Sequence, residues 1–142
     1  MEMPMLSLMI ALVQNPADLP DGRRLAEGDA CYTLNMNHGG IVRPIGATWQ
    51  TVKRALRDHH PVLEIVVHQS VNNGAFDMRD EFVLDAASLR PLALTNYRKG
   101  ELHVRLAYAD DRVTGERFNA DGTATPIDVP LPVPVWEGNL FG

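Results

Sequence analysis

Catalysis and metal binding need side chains that move protons, attack or coordinate, and this chain of 142 residues arranges few of them usefully. Its five histidines invite a metal site. His59 and His60 are adjacent in a predicted turn, and neighbouring side chains of extended backbone diverge instead of meeting on one ion. His38 falls in another predicted turn. His68 and His103 fall on predicted polar strand faces. No His or Cys pair has ligand spacing, so surface histidines are expected and no metal is assigned. The single cysteine, Cys31, cannot form an internal disulfide, and a small buried apolar role is expected for it in preference to a nucleophilic one. Ser7, Ser70 and Ser88 lack the context of an activated serine. Thr114 and Gly115 suggest at most a turn, and no G-x-S-x-G, phosphate-binding or dinucleotide-binding glycine pattern occurs. No catalytic residue and no cofactor follow from the sequence.

Asp80 stands apart. It sits between Met78 and Phe82 on the apolar side of a predicted strand. A carboxylate in that position must be paired, protonated or turned toward a wet cavity. The reading favoured here is structural, a salt bridge to an arginine or a bulge near Arg79 that turns Asp80 outward. The functional reading is a polar anchor in a ligand-binding hollow.

Position on a strand depends on register, and one turn sets it. Val62 to Val71 and Ala75 to Leu84 flank Asn73-Gly74, a dipeptide that accepts the positive φ angles of a tight hairpin. Counting outward pairs Val71 with Phe76, Gln69 with Met78, Val67 with Asp80, Ile65 with Phe82 and Leu63 with Leu84. The opposite face pairs Ser70 with Asp77, His68 with Arg79, Val66 with Glu81 and Glu64 with Val83. A slip of one residue would mix the apolar and polar faces. A second hairpin is predicted from Leu92 to Arg98 and Glu101 to Tyr108 around Lys99-Gly100, with Arg98 opposite Glu101. In it Leu102, Val104, Leu106 and Tyr108 alternate with more polar neighbours. Further strands are expected at Cys31 to Met36, Thr48 to Arg57, Arg112 to Phe118 and Thr123 to Val129. Asn37 to Gly40, Asp58 to Pro61, Asp110-Asp111 and Asn119 to Gly122 are the predicted turns. Most aromatic side chains (Trp49, Phe76, Phe82, Tyr97, Tyr108, Phe118) are expected in the core. The fold class is mainly β, an antiparallel meander forming a curved sheet or half-barrel over residues 30–129.

Composition supports one globular domain: 45% hydrophobic and 22% charged residues argue against a disordered chain. The formal net charge is −5, and the basic residues are scattered, so a nucleic-acid footprint is not expected. Met5 to Val13 is an apolar run too short to span a bilayer. With Gln14 to Ala17 behind it, the run is similar to an export signal, although Glu2 replaces the usual basic residues. Residues 1–14 are therefore expected to be an export signal or, equally, a short helix on the sheet. Pro126, Pro130, Pro132 and Pro134 argue for an extended edge or tail over residues 130–142. Trp136, Leu140 and Phe141 then mark a truncated element, or a tail that docks on the sheet or on a neighbour.

Asp80 to Leu92 reads DEFVLDAASLRPL. It is followed by Leu106-Ala107-Tyr108, Arg112-Val113-Thr114-Gly115, Ile127-Asp128 and Glu137-Gly138-Asn139. These segments resemble a family of uncharacterised bacterial domains of unknown function, often exported. The resemblance implies a sheet similar to the curved half-barrel of lipoprotein-carrier proteins, and it brings no catalytic residues. Family members continue past the Glu-Gly-Asn segment, so the end at Gly142 departs from the pattern. The expectation is a non-enzymatic domain of the cell envelope, periplasmic or secreted, with a cytoplasmic location as the alternative. Its apolar concave face (Leu63, Ile65, Val67, Met78, Asp80, Phe82, Leu102, Val104, Leu106) would meet a lipophilic small molecule, a covering helix or a protein partner. Two alternatives stand beside it. One is a small hydrolase-like enzyme using Asp80 with His68 or His103, although the register sets His68 on the other face. The other is a homo-oligomer, such as a dimer held by the Pro-rich tail.

Overall fold

A computed structural model describes residues 20–136. Segment 1–14 and the end of the tail lie outside the described residues. Eight strands follow one another in a single open, curved antiparallel sheet, each bonded to its sequence neighbour. They are β1 (Gly28–His38), β2 (Ile41–Arg57), β3 (His60–Val71), β4 (Phe76–Asp85), β5 (Pro91–Arg98), β6 (Glu101–Tyr108), β7 (Arg112–Phe118) and β8 (Ala124–Pro130). Among the described residues, the helical content is one 3-10 turn at Gly22–Arg24. No described helix is long and apolar enough to cross a membrane.

The β3–β4 hairpin has the register counted from Asn73-Gly74, from Val71 against Phe76 to Leu63 against Leu84. Asn72, Asn73 and Gly74 all take positive φ (52°, 54° and 82°), which Asn and Gly tolerate better than other residues. Arg98 also faces Glu101 as counted. The β2–β3 turn is tighter than predicted. Asp58 and His59 turn the chain at positive φ, and His60 and Pro61 already belong to β3.

β2 begins seven residues before the predicted Thr48, at Ile41. Pro44 hides this extension in the sequence, since it offers the ladder no N–H. The structure accommodates it with a bulge: Leu34 pairs with Gly46 and Asn35 with Pro44, leaving Ile45 between. Pro126 is tolerated for a related reason, because among the described strands β8 lies at the sheet edge, bonded to β7 alone.

The core sits at one end of the apolar face. Val52, Leu63, Ile65, Phe82 and Leu84 form its floor, and Ala86 and Leu89 of the β4–β5 loop fold over them. Trp136 packs against this cluster, and its Nε1 donates to Ser88 O at 3.1 Å. The lead-in before β1 completes the cover. Arg54 Nη2 donates to Gly22 O at 2.9 Å and to Leu25 O at 2.8 Å, while the Arg54 backbone N–H donates to Glu27 Oε1 at 2.6 Å. Gly22 N–H in turn donates to Ala87 O at 2.8 Å. A Cβ at Gly22 would lie 2.3 Å from Ala86 O, so only glycine lets the two backbones approach this closely.

Cys31 is a correction to the sequence reading. It is exposed, because β1 is an edge strand with no described element over it. Trp49 and Phe76 also depart from the core expectation, at 45% and 46% exposed, and Phe82 is fully enclosed. Trp49 lies beside His68, with ring centroids 5.5 Å apart.

Candidate functional site

Side chains alternate along a strand, and directly paired residues share a face. The pairings therefore trace one continuous surface from Val67 through Asp80 and Asn96 to Val104. A parallel row runs from Ile65 through Phe82 and Leu94 to Leu106. Leu63 and Met78 lie on this face at its two ends. Leu102 lies beyond a bulge at Asn96/Tyr97 and pairs with Tyr97, on the face that carries Arg79. Strand alternation alone could not reveal that shift.

Coverage changes along the face. Leu63, Ile65 and Phe82 are buried at the closed end. Val67, Met78, Leu94, Val104 and Leu106 are half-buried, and Phe76 is exposed at the hairpin tip. Beside that tip a hollow of about 430 Å³ is lined by Phe76, Met78, Arg98, Lys99 and Glu101.

Asp80 is 6% exposed and Asn96, across the strand pair, is 8% exposed. Asn96 Nδ2 donates to Asp80 Oδ1 at 2.6 Å. Among the described residues no arginine bridges Asp80, and it pairs regularly with Val67 and Asn96 with no bulge turning it outward. Arg79 instead pairs with Glu81 on the polar face, and its guanidinium lies 5.8 Å from the Tyr97 ring centroid. The other end of the Asn96 amide is unmet among the described residues, because its buried Oδ1 has no hydrogen-bond partner there. Such an orphan acceptor costs about 1–3 kcal/mol, a penalty that binding could relieve. Asn96 was missed in the sequence because nothing local marks it. Only its register opposite Asp80 does so.

The histidines lie elsewhere. His68 Nε2 is 3.1 Å from Asp77 Oδ2, on the polar face and away from Asp80. His103 sits by a cleft of about 570 Å³ with Arg98, Arg117 and Phe118. Its pKa lies below the usual imidazole value through desolvation first and the charges of Arg98 and Arg117 second. His60 Nε2 lies 2.8 Å from Asp85 Oδ2, and Ser88 Oγ donates to Asp85 Oδ1 at 2.8 Å. Here the carboxylate stands between histidine and serine, so the histidine is not placed to take the serine proton. Burial alone would raise the Asp85 pKa. Hydrogen bonds from Ser88, His60 and the Ala87 N–H outweigh it and leave the group below its usual value. Among the described residues, no three His, Cys, Asp or Glu side chains gather as metal ligands.

A family model described as a protein of unknown function (DUF3108) matches residues 31–142. No curated protein and no solved structure matches the chain.

Proposed function

The chain belongs to the DUF3108 family of proteins of unknown function, and from that premise we propose that it is a non-catalytic binding domain of the cell envelope whose apolar sheet face receives a lipophilic small molecule. One observation carries this reading. The described elements cover only the Leu63–Phe82 end of the face, while Val67, Leu94, Val104 and Leu106 remain half-buried around a polar pair. An apolar surface with a few convergent polar groups is the usual character of a small-molecule site. The apolar run from Met5 to Val13 supports an exported protein, periplasmic or secreted.

Native mass spectrometry of the purified full chain tests the reading. The expected spectrum contains a lipid-sized adduct that is lost at higher collision energy. A clean monomer that also takes up no added alkyl ligand overturns it. A dimer without adduct overturns it in favour of a second copy on the same face.

A further inference from the structure

The Asp80–Asn96 pair also states what chemistry it would accept, given the binding role proposed above. These are the buried polar side chains among the described residues, and apolar neighbours (Val67, Phe82, Leu94, Val104) surround them in the register. The bond from Nδ2 to Asp80 fixes the amide orientation, because the flipped amide would set its oxygen against a carboxylate. Asn96 Oδ1 therefore stays an acceptor, buried and without a partner among the described residues. The carboxylate beside it has no cation within 4.0 Å among the described residues. Arg54 shares this face but donates to the lead-in carbonyls. Arg98 lies one face position along β5 and is exposed, as is Arg117.

Beyond the Nδ2 bond, Asn96 Oδ1 and the Asp80 carboxylate thus keep acceptor capacity on the apolar face that no described donor or cation meets. A hydroxyl brings one donor and no charge, so it cannot satisfy both. A carboxylate or phosphate brings like charge. A protonated primary amine brings three N–H donors and the missing positive charge. We propose that the lipophile held on the apolar face carries a primary ammonium group, which donates to Asn96 Oδ1 and to the Asp80 carboxylate.

Calorimetric titration of the full chain with dodecylamine, dodecanol and dodecanoate, each below its micellar concentration at neutral pH, tests this. Dodecylamine should bind about tenfold tighter or better than the other two. In Asp80→Asn, with folding checked by near-ultraviolet circular dichroism, that preference should vanish. Equal binding of all three, tightest binding of dodecanoate, or an amine preference that survives in Asp80→Asn overturns the ammonium assignment and leaves the apolar-face reading standing. Binding of none overturns both. The comparison among probes in the unaltered protein does not depend on the variant folding.

Discussion

Asp80 and Asn96 depend on each other for burial. Removing the amide in Asn96→Ala leaves a buried carboxylate without its donor, and a loss of about 1–3 kcal/mol is expected in urea unfolding. The double change Asp80→Leu/Asn96→Leu removes both polar groups, so it should be less destabilising than Asn96→Ala alone. A double variant clearly less stable than the single one would show that the pair contributes net stability. Asp85 gives a pH signature. Its folded-state pKa lies below its unfolded value of 3.8, so its stabilisation is fully present above that value and lost as pH falls through the folded pKa. Asp85→Asn should therefore flatten the fall in stability below about pH 4, measured by urea midpoints across the acid range. An unchanged acid limb would remove Asp85 from the account.

At the scale of elements, turn chemistry was the legible part. Asn73-Gly74 set the whole register of β3 against β4, and Lys99-Gly100 that of β5 against β6 only beside its turn, because positive-φ residues and alternating faces agree on one pairing there. Bulges were illegible. Pro44 is compatible with the one at Ile45 without placing it, and no local residue type announces the one at Asn96/Tyr97. Strict alternation consequently groups Leu102 with Val104, and Pro44 makes β2 look as if it starts late. Asp80 was recognised as out of place, but its partner Asn96 is sixteen residues away and is found only through the β4–β5 pairing. Pro20, Gly22 and Gly28 make the lead-in look like a plain loop in the sequence. Its role in closing the core rests on Arg54 and on the bare Cα of Gly22. Gly22→Ala should cost about 1–3 kcal/mol and loosen that end, seen as faster hydrogen exchange at Leu89 and Arg54. Unchanged stability and exchange would mean the lead-in does not hold the core.

At the scale of the whole molecule, an eight-stranded sheet has two faces to satisfy and few described residues beyond the strands to cover them. The Leu63–Phe82 end is closed by the lead-in, the β4–β5 loop and Trp136. Toward Val104 the apolar side chains are half-buried around the buried Asp80–Asn96 pair, and a binding role for this stretch turns on which face a ligand uses. The most direct measurement is saturable fluorescence of N-phenyl-1-naphthylamine with three proteins: unaltered, Val104→Lys on the apolar face, and Thr95→Lys on the opposite face. The account predicts equal binding by the unaltered chain and Thr95→Lys, and a loss of about tenfold or more in Val104→Lys. Equal binding by all three, or none by the unaltered chain, would contradict it.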